Sequence, residues 1–158
     1  MKKIDWVDPE KIMLLGHSMG GAVATQVAKE TPDEIHKVCL WSPAGNMNEL
    51  ARSYFEKYPM LPNGNIDLDG IELGRGFYED LKNRDLFQGI TSYTKPVMII
   101  HGTNDQVVPA EFGQKYYDTY VKNDRSIYFI KDADHGFSRL NWVDELFNQS
   151  ILFFRSNC

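Results

Sequence analysis

The stretch Gly16-His17-Ser18-Met19-Gly20-Gly21 places a serine between glycines, after the apolar run Ile12-Met13-Leu14-Leu15 and before an Ala-rich segment. A serine at the apex of a tight strand-to-helix turn has a strained backbone, and flanking glycines let such a turn close. The turn lifts the hydroxyl clear of its surroundings. It also aims the backbone N–H of Met19, at a helix N-terminus, toward negative charge developing on an attacked carbonyl. The chemistry this pattern implies is nucleophilic attack at an acyl carbon.

A serine hydroxyl needs a base at neutral pH, and the base needs a carboxylate to orient it. Asp105 stands in His101-Gly102-Thr103-Asn104-Asp105, just after an apolar run. His135 stands in Asp132-Ala133-Asp134-His135-Gly136-Phe137, just after another. The chain order is Ser, Asp, His, the order that accompanies this type of elbow. Asp132 and Asp134 are rival orienters, although Asp134 is adjacent to His135 and badly placed to reach its ring. His17 packs near the turn and is a candidate substrate-binding residue, not a base. His101 braces the loop carrying Asp105, and His36 looks solvent-exposed on a polar edge. No H-E-x-x-H or comparable metal-ligand spacing occurs, and no G-x-G-x-x-G loop follows a strand. Gly74-Arg75-Gly76 is too short for one. The sequence implies neither a metal nor a cofactor.

These residues need elements to hold them. Short apolar runs at 12–16, 37–43, 95–102 and 126–131 read as buried strands. Gly20–Glu30 reads as a helix ended by Thr31-Pro32. Phe112, Tyr116 and Tyr120 recur at four-residue spacing and mark one face of a helix over 109–121. A closing helix over 142–155 turns Trp142, Leu146, Phe147, Ile151 and Phe154 toward the core. Strands that alternate with helices and lack period-two polarity predict an α/β fold with a mostly parallel sheet covered on both faces. In such sheets, sites form outside the carboxyl ends of the strands, where Ser18, Asp105 and His135 all fall.

Residues 45–92 break this rhythm and read as an insertion between a first core segment, 1–44, and a last, 93–158. A helix near 47–57 comes first. Ile66-Asp67-Leu68 and Ile71-Glu72-Leu73 then flank Asp69-Gly70, a hairpin turn signal, and a helix near 77–86 follows.

The composition agrees with one globular domain: 158 residues, 42% hydrophobic and 25% charged. Such a chain buries roughly two-thirds of its unfolded surface. With 17 basic and 22 acidic residues the net charge is -5 and no basic cluster appears, which argues against nucleic acid as the main partner. No apolar run approaches the ~18 residues that span a bilayer. The start lacks the apolar core of a signal peptide. The two cysteines cannot form a disulfide framework: Cys39 reads as a buried core thiol and Cys158 as inert. A reducing cytoplasm is the default location.

With these motifs in hand, the chain resembles the α/β-hydrolase superfamily, and most closely bacterial cinnamoyl/feruloyl esterases among the serine aminopeptidase S33-like hydrolases. The resemblance runs through the elbow, His101–Asp105 and Asp134–Phe137. It continues in Leu73-Gly74-Arg75-Gly76-Phe77-Tyr78, Tyr93-Thr94-Lys95-Pro96 and Asp132–His135 followed by Phe137-Ser138. It implies Ser18 as nucleophile, His135 as general base and acid, Asp105 as orienter and Met19 N–H as one oxyanion donor. It also implies that the insertion is a lid forming an aromatic-acid pocket, with Tyr78 either touching the substrate's phenolic end or packing the lid. The substrate would be a small-molecule ester.

The four strands match the last four of the superfamily's eight, so the fold is a partial one, and Met1–Val7 looks like the tail of a preceding helix. The loop that supplies the second oxyanion N–H falls in the unmatched part, and loss of one such donor costs about 10²–10³ in rate. The first strand would then expose an apolar edge, a route to homodimer formation or other association. Three readings follow: a cinnamoyl esterase; another acyl hydrolase such as a lipase-like esterase, thioesterase or peptidase; or a catalytically incomplete half-domain that docks its open edge on a partner.

Overall fold

A computed structural model describes residues 4–122 and 124–156. Two compact units divide the chain: Asn46–Asp85 forms one, and the segments on either side of it form the other.

The larger unit is built on strands β1 (Met13–His17), β2 (Lys37–Trp41), β5 (Val97–Gly102) and β6 (Arg125–Ile130). They lie in the order β1-β2-β5-β6, all parallel, with Leu15 opposite Cys39, Leu40 opposite Ile99 and Ile100 opposite Tyr128. Parallel neighbours need crossovers, and helices α1 (Met19–Glu30), α4 (Ala110–Thr119) and α5 (Leu140–Arg155) take up the intervening or following chain. The central strands are buried on both faces, so their sequences are continuously apolar instead of alternating. On one face Val38, Leu40, Val97 and Ile99 pack with Ala24 and Ala28 of α1 and with Tyr116. On the other, Cys39, Met98 and Ile100 pack with Trp142 and Leu146 of α5.

Several expectations need correction. In α5, Phe147 and Ile151 are exposed, and the buried line continues from Leu146 through Ser150. Ser150 is tolerated in the core because its hydroxyl donates to Leu146 O and accepts from Trp41 Nε1, leaving no orphaned polar group. His36 is half-buried, not exposed, its backbone N–H held by Ile12 O. Of the stretch Met1–Val7, the described part, Ile4–Val7, forms a turn closed by Val7 N–H on Ile4 O. Residues 1–3 and Cys158 lie outside the described residues. Cys39 is fully buried, and burial pushes its thiol up to about 11.

The smaller unit holds α2 (Met47–Lys57), the antiparallel hairpin β3 (Ile66–Leu68) and β4 (Ile71–Leu73), and α3 (Arg75–Leu81). Asp69 and Gly70 both take positive φ, and Asp67 Oδ1 accepts from Gly70 N–H. This is the two-residue turn that the Asp-Gly signal predicts. Helix α3 starts and ends earlier than the sequence pattern implies. Asn65 Oδ1 accepts the Arg75 N–H, satisfying a donor of the first turn and fixing the helix start. Leu86 and Ile90 belong to the larger unit. The break in composition therefore outlasts the compact smaller unit by several residues.

One buried charge ties the sheet to the last helix. Lys37 is 1% exposed, and its Nζ donates to Phe153 O, Ser156 O and Ser156 Oγ at the α5 C-terminus. Phe153 O also accepts from the Ser156 hydroxyl, and the helix dipole favours a cation at this end. Lys37→Met keeps the stem but removes the buried donor to Ser156 O and Phe153 O, so it lowers unfolding stability by about 1–3 kcal/mol. A urea titration reads this as a fall in the midpoint.

Candidate active site

The β1–α1 junction is where sequence most directly dictates geometry. Ser18 sits at φ 55°, ψ -120°, a conformation costly for any residue with a side chain. The surrounding backbone holds it there. Ser18 N–H donates to Trp41 O at 2.9 Å, and Ser18 O accepts from the N–H groups of Gly21 and Ala44, each at 3.0 Å.

The glycines of the elbow are not equivalent. A Cβ on Gly16 would lie 2.2 Å from Gly20 O, and one on Gly21 would lie 3.0 Å from Pro43. A Cβ on Gly20 would meet nothing within 4 Å. Symmetry of the motif therefore misleads: Gly16 is required because the helix backbone passes over it, whereas Gly20 has open space.

Asp105 and His135 arrive on loops at the same end of the sheet, after β5 and β6. Gly102 lets the two loops meet, since a Cβ there would lie 2.3 Å from Ala133 O. Asn104 N–H donates to Ala133 O and Asp132 N–H to Thr103 Oγ1, which fastens one loop to the other. Asp105 Oδ1 accepts the N–H groups of Val107 and Val108 at 2.9 and 2.8 Å. Its Oδ2 lies 2.7 Å from His135 Nδ1. His135 Nε2 lies 2.9 Å from Ser18 Oγ.

These contacts fix the tautomer. A carboxylate can only accept, so His135 Nδ1 carries the proton and Nε2 is free to accept from the serine hydroxyl. Burial works against the Asp105 charge. Hydrogen bonds from His101, His135 and the Val108 and Val107 amides outweigh it and hold the carboxyl well below the usual carboxylate range.

The rival carboxylates point elsewhere. Asp134 accepts from the Ser138 N–H and hydroxyl, and Asp132 is exposed. His101 is fully buried. Its Nε2 donates to Val108 O at 2.8 Å and lies 3.4 Å from Asp105 Oδ2, so it fixes the loop that presents the carboxylate. Gly113 of α4 makes room for that ring: a Cβ there would fall 2.4 Å from His101 Nδ1.

His17 makes a contact that the sequence did not reveal. Its Nε2 lies 2.8 Å from the His135 backbone O, so that nitrogen is the protonated donor, and the two rings lie 5.0 Å apart. His17 thus anchors the His135 loop from the strand side. Its place directly before the serine was the only available signal. Met19 is the first residue of α1, so its N–H is among those without a partner in the helix. Tyr78 lies in the smaller unit, stacked on Phe55 with ring centroids 5.3 Å apart. Among the described residues no His, Cys, Asp and Glu side chains group in a way that could hold a metal ion. None of their helices is long and apolar enough to cross a membrane.

A four-stranded parallel sheet with an elbow serine hydrogen-bonded to a histidine, and that histidine to an aspartate, defines an α/β-hydrolase architecture. The sequence profile of the prolyl oligopeptidase family matches residues 1–157, and the chain belongs to that family within the α/β-hydrolase superfamily. Among curated relatives, the lysophosphatidylserine lipase ABHD12 of Danio rerio is 30% identical over 120 residues, which cover 71% of this chain and 29% of that protein. An uncharacterised protein of Acanthamoeba polyphaga mimivirus, R595, is 28% identical over 129 residues, 78% of this chain and 41% of its own length. Among solved structures, Est1E from Butyrivibrio proteoclasticus superposes with a TM-score of 0.77 at 28% identity. The match covers 97% of this chain and 64% of Est1E. A second Est1E structure has ferulic acid bound. The chain spans less than half the length of these two curated relatives and under two-thirds of Est1E.

Two outcomes follow from the site's geometry. Gly20→Ala leaves fold and site intact, whereas Gly16→Ala prevents the elbow from closing and abolishes soluble expression or cooperative unfolding; circular dichroism melts of the pair distinguish them. The second concerns pH. Because the folded-state pKa of Asp105 is depressed, the stability its ionised form provides is complete above the ordinary value of 3.8 and is lost as pH falls below it. The melting-temperature gap between the native chain and Asp105→Asn therefore narrows as pH falls below about 4.

Proposed function

We infer that this chain carries the nucleophile, the base and the orienting carboxylate of a serine carboxylic-ester hydrolase. The observation that supports it is the continuous hydrogen-bonded chain Ser18 Oγ–His135 Nε2, 2.9 Å, and His135 Nδ1–Asp105 Oδ2, 2.7 Å. In this reading His135 takes the Ser18 proton as Oγ attacks the ester carbonyl. Asp105 stabilises the imidazolium that forms. The Met19 N–H donates to the oxyanion of the tetrahedral intermediate. His135 returns its proton to the departing alcohol, leaving an acyl group on Ser18. Water, deprotonated by the same imidazole, then attacks that acyl group and regenerates the serine. No step calls for a cofactor.

For the acyl group, we favour hydroxycinnamates. The support is the Leu73–Tyr78 motif and the likeness to Est1E, whose structure with ferulic acid shows that protein binding such an acid. Tyr78 would meet the phenolic end, with the Asn46–Asp85 unit serving as the lid. His17, which holds the His135 carbonyl, would border the acyl group. The likeness to a lysophosphatidylserine lipase favours a second reading, a hydrolase of lipid esters.

The test is hydrolysis of methyl ferulate against p-nitrophenyl esters of short and long fatty acids, with labelling by a fluorophosphonate probe. Ser18→Ala abolishes labelling and lowers kcat/KM by about 10³ or more. Preference for methyl ferulate supports the cinnamoyl reading, and preference for long acyl chains replaces it with the lipid one. Turnover unchanged in Ser18→Ala rejects the mechanism.

A further inference from the structure

Ser18 has a counterpart on the neighbouring strand. The register that sets His17 opposite Trp41 brings Ser18 and Ser42 level with each other, one residue past the ends of β1 and β2. Both take positive φ, 55° at Ser18 and 40° at Ser42. A residue with a side chain keeps such a conformation only where its surroundings enforce it. At Ser18 the strain belongs to the elbow. Ser42 takes part in no step of the proposed reaction. Its side chain does not account for it either: Ser42 is fully buried, and among the described residues its Oγ has no hydrogen-bond partner. A buried hydroxyl without a partner weakens a fold instead of supporting it.

The backbone does account for it. Ser42 N–H donates to Ile100 O at 2.8 Å, which holds the residue to β5. On either side of Ser42, Trp41 O accepts the Ser18 N–H at 2.9 Å and Ala44 N–H donates to Ser18 O at 3.0 Å. An extended chain, at ~3.3 Å per residue, would carry residue 44 about 10 Å beyond Trp41. Residues 41 and 44 can hold both peptide groups of Ser18 only if the chain turns back between them, and the turn falls at Ser42-Pro43. The Ser18 carbonyl also shares its planar peptide group with the Met19 N–H, so the Ala44 bond sets the direction of that N–H. Pro43 braces the same helix turn: a Cβ on Gly21 would lie 3.0 Å from both Pro43 Cα and Cβ. Gly45 closes the exit of the turn, where a Cβ would fall 2.7 Å from the Phe87 ring and 2.8 Å from that of Phe112.

We propose that Ser42 is a positioning residue whose left-handed turn aims both the Ser18 hydroxyl and the Met19 N–H, acting through the Trp41 and Ala44 backbone. The inference rests on Ser18 being the nucleophile of the proposed hydrolase. What the position requires is a conformation and not a functional group. Glycine meets that requirement without strain, and alanine meets it as serine does. A β-branched residue does not, because positive φ sets its branched Cβ against the backbone.

The test compares Ser42→Gly, Ser42→Ala and Ser42→Val with the native chain. Amide exchange followed by NMR reads the positioning itself. In Ser42→Val the Ser18 and Ala44 amides exchange at least about tenfold faster, as local opening of protected bonds does, while the Ile99 amide of β5 keeps its native rate. Fluorophosphonate labelling of Ser18 slows by about tenfold or more, and methyl ferulate turnover loses kcat with KM kept, since alignment and not binding is lost. Ser42→Gly and Ser42→Ala retain native exchange and labelling. A purely structural role lowers the melting temperature of Ser42→Val without separating kcat from KM. If Ser42→Val does not fold, Pro43→Gly loosens the same turn without adding bulk and gives the same changes. If the native chain is not labelled, the exchange readout still decides the positioning, and the missing label counts against the hydrolase reading alone. Three results overturn the proposal: native exchange at Ser18 and Ala44 in both Ser42→Val and Pro43→Gly, a loss in Ser42→Ala equal to that in Ser42→Val, which assigns the role to the hydroxyl, or a loss in Ser42→Gly of the same size.

Discussion

The backbone approach at Gly16 is the constraint on which the rest of the site depends. The first turn of α1 passes so close to the last residues of β1 that only a glycine fits beneath Gly20 O. That closeness forces Ser18 into its positive-φ conformation, and the conformation in turn projects the hydroxyl away from the sheet. The cost, of order 1–3 kcal/mol for such a residue, persists because Trp41, Gly21 and Ala44 hold the Ser18 peptide groups from three directions. Every other feature of the site is an answer to where that one oxygen has been put.

The answer comes from two loops that reach the same end of the sheet because their strands run parallel to β1. Close packing again decides the arrangement: Gly102 beneath Ala133 O and Gly113 beneath the His101 ring let the Asp105 and His135 loops lie against each other and against α4. Hydrogen bonds then over-determine both side chains. Asp105 receives two amides and the His135 imidazole, with His101 Nε2 3.4 Å from it, and His135 is held at its ring by Asp105 and at its carbonyl by His17. Such redundancy matters for a group whose work depends on orientation, since a loss of alignment costs rate even where no contact to the reacting atoms is lost.

Much of this was legible in the sequence. Strand and helix positions followed from runs of Val, Ile, Leu and Met separated by helical spacing, because a sheet covered on both faces admits few polar residues. The three chemistry-bearing residues were legible because each directly follows a strand. Less legible were features set by neighbours distant in sequence. Phe147 and Ile151 fit a helical stripe, yet Ser150 takes the inward position because Trp41 and Cys39 offer its hydroxyl and sulfur partners more than a hundred residues away. Lys37 is a charged residue at the start of a buried strand, and its burial is explained only by the end of α5, whose Phe153 and Ser156 carbonyls accept from its ammonium.

The sequence by itself determined the local chemistry: an elbow serine, an Asp and a His after successive strands, an Asp-Gly hairpin, and the α/β class. These depend on periodicity, turn stereochemistry and short-range sterics, all of which act within a few residues. Tertiary structure alone decided which of three carboxylates meets His135 and which nitrogens of His17 and His135 carry protons. Each of those outcomes is a contact between segments separated by tens of residues. The physical reason is that hydrogen-bond partners and steric neighbours at such separations exist only once the sheet has brought its strand ends together.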